Sequence, residues 1–158
     1  ASGAATVKPG INLNTDSTKG YVFHGTATHA QYADVAENYT SDKELEPGTL
    51  ITINKDGESE VTETTHALDS NVIGVVTTDP ALLMNSALSG LTVGVALLGR
   101  TPCKVIGEVM KGDRIVSSDI AGHGQSIVDF SYQHVVGRAV ESKTTPGEGI
   151  IEVVIGVK

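Results

Sequence analysis

Gly48-Thr-Leu-Ile-Thr52 recurs as Gly112-Asp-Arg-Ile-Val116, and Val72-Ile-Gly-Val-Val76 recurs as Val135-Val-Gly-Arg-Ala139. The paired glycines, Gly48 to Gly74 and Gly112 to Gly137, lie 26 residues apart in the first copy and 25 in the second. A third word follows in each copy, where Gly94-Val-Ala-Leu-Leu-Gly99 corresponds to Ile151-Glu-Val-Val-Ile-Gly156. Three words in the same order make an internal pseudo-repeat, spanning about 46–99 and 110–157. Each copy reads as a turn, a strand, a hairpin, a central strand carrying a glycine, and a closing strand. Short β-rich segments at this spacing, with turn signals between them, predict a mainly β fold: a compact β-barrel or sandwich.

Outward from the repeat, the strands can be placed one by one. Glu46-Pro47-Gly48 is a turn, 49–53 a strand, and 54–57 carries the Asp56-Gly57 hairpin signal. The nearly continuous apolar run 72–77 predicts a buried strand, followed by strands at 93–98, 104–109, 114–116, 135–140 and 150–157. Residues 80–91, with Leu82, Leu83 and Met84, predict a helical turn or a packed loop that serves as core or subunit contact.

Toward the N-terminus the pattern changes. Residues 1–26 are polar and punctuated by Pro9-Gly10 and Lys19-Gly20, so they predict an extended arm. Over 27–40 the residues Tyr32, Val35, Ala36 and Tyr39 recur at i, i+3, i+4 and i+7, which predicts one short α-helix. Thr28 followed by Gln31 suits a capping box at its start. The opposite helical face would carry Ala27, Ala30, Asp34 and Glu37, a small-residue row flanking two carboxylates. The division is therefore an arm (1–26), a helix (27–40) and a β domain (41–158).

Composition narrows the function classes. The chain has 158 residues, six of them aromatic, and a formal charge of −8. Val, Ile and Thr supply 47 residues, so burial must come from aliphatic side chains or from association. The scattered Lys and Arg disfavour nucleic acid as a partner. No apolar run approaches the roughly 20 residues of a membrane-spanning helix, and no export signal is visible, so a soluble protein is expected. One cysteine, Cys103, excludes an internal disulfide and a Cys-rich zinc site.

The chemistry-bearing motifs are equally sparse. His24, His29, His66, His123 and His134 form no H-E-x-x-H pair, so no metal is expected. No G-x-S-x-G elbow is present, and Cys103 between Pro102 and Lys104 suits a small buried hydrophobe. Gly122-His-Gly124 and Gly147-Glu-Gly149 lack the Lys and the strand-to-helix setting of a phosphate loop, so they read as turns and no cofactor is expected. What remains is Asp34 with Glu37. Two carboxylates at i, i+3 on one helical face are within mutual reach, which suits an acid and base pair.

Seven words together resemble a known family: Tyr32-Ala-Asp-Val-Ala-Glu37, Glu46-Pro-Gly-Thr49, Val72-Ile-Gly-Val-Val-Thr-Thr-Asp-Pro-Ala81, Asn85-Ser86, Val95-Ala-Leu-Leu-Gly-Arg-Thr-Pro-Cys-Lys104, Gly107-Glu-Val109 and Lys111-Gly-Asp113. The family is the C-terminal intramolecular-chaperone autoproteolytic domain of bacteriophage tail spikes, neck appendages and tail fibres. The resemblance runs from about residue 28 to the C-terminus. It implies a homotrimer that registers the upstream fibre region of the same polypeptide and then releases itself by cutting near its own N-terminus. That bond would lie at or just before Ala1, or within 1–19. By the same resemblance Asp34 and Glu37 look like the family's catalytic acids, one expected to activate a water or Ser hydroxyl and the other to protonate the leaving amide. The implied setting is the host cytoplasm during phage assembly, or the virion tail where release does not occur. Two other readings stay open: a non-cleaving structural or receptor-binding tip of a trimeric fibre, and a small β-barrel binding module unrelated to phage.

Overall fold

The structure is a computed structural model that describes residues 33–129 and 134–156. Ten strands run in chain order: β1 (Asp34–Thr40), β2 (Leu50–Ile53), β3 (Val61–Glu63), β4 (Val72–Val76), β5 (Leu82–Met84), β6 (Thr92–Ile106), β7 (Arg114–Ser117), β8 (Gly124–Ile127), β9 (Gly137–Ala139) and β10 (Glu148–Ile155). No helix occurs among the described residues. They hydrogen-bond in the order β10-β9-β7-β8-β6-β4-β2-β3, and β10 also pairs with β6. That extra pairing closes β6, β8, β7, β9 and β10 into a ring. The fold is a β-barrel.

The first two words of the pseudo-repeat make equivalent hydrogen bonds. Gly48 N–H donates to the Val76 carbonyl at 2.9 Å, and Gly112 N–H donates to the Ala139 carbonyl at 2.8 Å. Val76 N–H returns to the Thr49 carbonyl and Ala139 N–H to the Asp113 carbonyl, both at 2.9 Å. Gly48 and Gly112 both hold positive φ, at 84° and 94°, a region that side chains disfavour. Ile51 stands opposite Gly74 as Ile115 stands opposite Gly137. The third word is shifted by one residue from its sequence alignment, since Thr77 N–H donates to Gly94 as Val140 N–H donates to Glu152. Gly94 is thus the structural counterpart of Glu152. A bulge in β6 opposite Val35/Ala36 absorbs the offset before Gly99.

The strands expected at 93–98 and 104–109 are one strand. β6 runs 15 residues without interruption, its first half pairing with β1 and β4 and its second half with β10, from Gly99↔Ile155 to Ile106↔Glu148. Leu50, Val75, Cys103, Val105, Ile115, Ile151 and Val153 fill the main core, all of them 2% exposed or less. A second cluster of Ile51, Val61, Val76, Val93 and Val95 packs against Tyr39 and Leu45. Aliphatic side chains carry the burial, as the composition requires.

The expected helix over 27–40 is corrected at 34–40, which is strand β1; residues 27–32, and the arm at 1–26, lie outside the described residues. The reason is tertiary. β1 pairs antiparallel with β6 over seven residues and parallel with β5 over three, so both of its edges are satisfied. An isolated helix of this length is marginal, and such a ladder outweighs it. Burial also alternates over the first four residues, with Asp34 and Ala36 buried and Val35 and Glu37 half-buried on the other face. Residues 80–91 hold β5, whose Leu82, Leu83 and Met84 are all exposed, so this segment is not core.

Candidate functional site

Asp34 opens β1 at a point of close backbone approach. Its partner across the ladder is Gly99, where a Cβ would stand 2.1 Å from the Ala33 carbonyl oxygen. Only glycine lets β1 begin here. The Ala33 carbonyl accepts the Arg100 N–H at 3.1 Å, and the Asp34 carbonyl accepts the Ala81 N–H at 2.8 Å. The Asp34 side chain is 4% exposed, and its Oδ2 has no hydrogen-bond partner among the described residues. A buried carboxylate oxygen left unmatched is costly, and such a group calls for an explanation.

The surroundings supply one. Asp34 lines a cavity of about 320 Å3 together with Ala33, Thr77, Thr78, Asp79, Arg100, Thr101, Pro102 and Glu152. Three of the words that carry the family resemblance converge there: Ala33-Asp34, Thr77-Thr78-Asp79 and Arg100-Thr101-Pro102. Glu152, from β10, is the member that the sequence did not single out. Its signal was a lone charge inside Ile150-Ile-Glu-Val-Val-Ile155. Carboxylates, hydroxyls and a guanidinium at one mouth can bind a polar group at both its donor and its acceptor ends.

Glu37 does not join this cavity. Three residues along a strand lie on opposite faces, so the mutual reach expected of Asp34 and Glu37 on a helix is not made within one chain. Glu37 instead accepts a hydrogen bond from the Tyr39 hydroxyl at 2.9 Å. Burial and then this Glu37 contact push the Tyr39 phenol up to about 12.

Elsewhere the chemistry is structural. Cys103 is fully buried, and desolvation pushes its thiol up to about 12, which keeps it out of nucleophilic chemistry. The expected turn at 147–149 is in part strand, since β10 begins at Glu148, and the segment before it helps to enclose a cation from the chain itself: Lys143 Nζ donates to the carbonyls of Gly107 at 2.8 Å, Thr145 at 2.5 Å, and Gly147. Inward carbonyls are the opposite of a phosphate cradle, which needs N–H groups. His123 Nδ1 sits 2.7 Å from the Ala121 carbonyl, and His66 lies 4.0 Å from Asp69. Among the described residues no three His, Cys, Asp or Glu side chains group to hold a metal, and no helix is long and apolar enough to cross a membrane.

No protein-family model matches the chain, and no curated protein does. Among solved structures the chain is similar to the C-terminal fragment of bacteriophage phi29 gene product 12, with a TM-score of 0.55 and 15% identity over 77% of this chain and 99% of that one. It is also similar to the pre-mature form of the same gene product, with a TM-score of 0.61 and 15% identity over 89% of this chain and 24% of that one. At this identity the likeness is one of fold.

Proposed function

We propose that this chain is a C-terminal domain of a bacteriophage tail spike, appendage or fibre, where it acts as an intramolecular chaperone. It drives homotrimerisation, registers the upstream fibre region of the same polypeptide, and releases itself by autoproteolysis near its own N-terminus. The observation that carries this reading is the pair of structural likenesses. One fold accounts for 99% of a C-terminal fragment of a phage protein and for 24% of that protein's pre-mature form. The family words in the sequence support the same reading independently, and so does the convergence of three of them on the Asp34 cavity.

Association finds support at β5. Among the described residues this strand pairs only with β1, and Leu82, Leu83 and Met84 are 56%, 39% and 39% exposed. Leu98, 55% exposed, flanks Val35 across the ladder from Leu82. An apolar strand at a sheet edge is a template for pairing with another chain, and natural proteins cover or charge it. We assign it to the subunit contact. Asp34 is the proposed catalytic carboxylate, and Glu37 would reach an Asp34 only across a subunit boundary.

The test is to express the chain behind its upstream fibre segment and follow it on a denaturing gel. Two bands in wild type, merging to one in Asp34→Asn, are expected. A single uncut band in wild type would refute autoproteolysis. It would favour the second reading, a non-cleaving structural or receptor-binding tip, which draws on the placement of Asp34 and Glu37 on opposite faces of β1. Light scattering tests both readings together: a stable monomer at micromolar concentration contradicts each, and Leu82→Ser with Met84→Lys should dissociate the trimer.

A further inference from the structure

We infer that the Asp34 cavity is a peptide-group site, in which Arg100 receives the carbonyl oxygen and Glu152 is the second carboxylate beside Asp34. This rests on the self-cleavage reading and names what that site holds. Among the described residues, neither Arg100 nor Glu152 makes a side-chain ion pair, although Asp34, Asp79 and Glu152 line the same cavity as the guanidinium. The balance of charges selects the ligand class. A phosphate would face the carboxylates of Asp34 and Asp79, and a metal ion would face the guanidinium. A peptide group is neutral, with an acceptor oxygen at one end and a donor N–H at the other, and it matches both signs. The volume, about 320 Å3, lies at the small end of ligand sites and suits a short stretch of backbone.

The pseudo-repeat isolates Glu152 as a residue the fold does not require. Its counterpart in the first copy is Gly94, whose carbonyl accepts the equivalent hydrogen bond, 2.9 Å from Thr77 N against 3.0 Å from Val140 N to Glu152. Two copies share the backbone position, and only the one beside the cavity carries a carboxylate. The Glu152 side chain is half-buried and enters the hydrogen-bonded ladder only through its backbone.

The chemistry then balances as hydrolysis. Asp34 takes a proton from a water whose oxygen attacks the carbonyl carbon, forming the new C–O bond. The charge that develops on the carbonyl oxygen is met by Arg100. Protonated Glu152 delivers its proton to the amide nitrogen as the C–N bond breaks, and solvent returns the proton from Asp34 to Glu152. The products are a carboxylic acid and an amine. The peptide group belongs to this polypeptide, either the same chain or a neighbouring copy.

The experiment uses the full precursor, with the melting temperature of each variant checked against wild type. Glu152→Gln should slow cleavage about 100-fold or more, the scale of general acid catalysis. Arg100→Gln should slow it about 100- to 1,000-fold, as loss of an oxyanion donor does. Loss of cleavage in Glu37→Gln with Glu152→Gln cutting at the wild-type rate overturns the assignment. In mixed assemblies of tagged Asp34→Asn and wild-type chains, cutting of wild-type chains alone assigns the peptide to its own chain. Cutting of both assigns it to a neighbour, and either pattern supports the site. A wild-type precursor that never cuts overturns self-cleavage and the role of Glu152 together. The peptide site is then decided by titrating the 158-residue chain with a synthetic peptide of residues 1–19. Saturable chemical-shift changes at Thr78 and Arg100, those at Thr78 vanishing in Arg100→Gln, support it, and no change refutes it.

Discussion

Replacing Gly74 or Gly137 by alanine should cost the barrel the same amount, because each glycine performs the same task in its half of the pseudo-repeat. A Cβ on Gly74 would stand 2.1 Å from the Ala96 carbonyl oxygen and 2.7 Å from Val95 Cγ1. A Cβ on Gly137 would stand 2.2 Å from the Val154 carbonyl oxygen and 2.9 Å from Val153 Cγ1. Ordinary contact begins at 3.4 Å, so the strands must part by roughly 1 Å against a normal spacing of about 4.8 Å. That displacement stretches the adjacent ladder bonds beyond hydrogen-bond range. Losing one or two such bonds costs about 1 kcal/mol each, and overpacking the core costs about 1–3 kcal/mol more. Restricting the unfolded chain returns about 0.4–1 kcal/mol. The net is about 1–5 kcal/mol for each variant, or about 2–18 °C in melting temperature for a chain of this size.

The assay is urea denaturation followed by circular dichroism at one protein concentration, with midpoint and slope compared across variants. Gly147 is the control, since a Cβ there meets nothing within 4 Å and its φ is not positive. Gly147→Ala should be neutral or slightly stabilising. The double variant Gly74→Ala with Gly137→Ala should approach the whole stability of an average domain, about 5–15 kcal/mol, and fail to fold. A midpoint equal to wild type in either single variant would refute the close-approach argument. A large loss in one and none in the other would refute the equivalence of the two halves.

Three further outcomes follow from titratable groups. Tyr39, held neutral by burial and by Glu37, should ionise near pH 12. Its folded value is raised, so its contribution to stability is complete below about pH 10 and disappears as pH rises toward that value; an ultraviolet titration should lose this last phase in Tyr39→Phe, and its absence from wild type would contradict the contact. Asp69 behaves in the opposite sense. Burial alone would push its carboxyl up, but the Asn71 backbone N–H at 2.8 Å, the Asn71 amide at 3.1 Å and His66 hold it below the usual range. Stability from Asp69 is therefore present above about pH 4 and lost as pH falls, and Asp69→Asn should flatten the acid limb of a denaturation profile. Cys103 should resist a water-soluble thiol reagent until denaturant is added, and labelling of the native protein at the rate of a free cysteine would contradict its place in the core.

The parts of the fold that were legible in the sequence are those that a single residue type enforces locally. A positive φ at Gly48 and Gly112, and the tight approach at Gly74 and Gly137, demand glycine, so the repeat could be read from spacing. β6 was not legible as one strand, because Gly99 and Pro102 are breakers by local rules while its continuity comes from pairing with β10 some 50 residues away. β1 was misread for a related reason. Over seven residues a period of 3.6 and a period of two overlap, and the decision belonged to β5 and β6 on either side. Asp34 and Glu37 were singled out together, by their i, i+3 spacing and by one shared family word, and it is the strand that sets them on opposite faces. Glu152 lies more than 100 residues from Asp34 in sequence, and no local pattern links them.

The change from helix to strand alters what assembly can control. A carboxylate pair on one helix would be complete as soon as the helix formed, before the rest of the domain existed. The cavity at Asp34 is built from β1, the segment between β4 and β5, the middle of β6, and β10. Its last component arrives only when the C-terminal strand has paired with β6 and closed the barrel. Under the proposed function, cleavage therefore waits on completion of the whole domain, because Glu152 is not in place until then. Under the same proposal, an exposed apolar β5, joined to β1 alongside Asp34, would tie that strand to the subunit contact. Displacing β5 would disturb the Ala81 N–H that holds the Asp34 carbonyl, so the proposed subunit contact would reach the cavity through one strand. Folding and association then act on the reaction through β10 and β5 separately, and a variant in either should slow cleavage without touching a carboxylate.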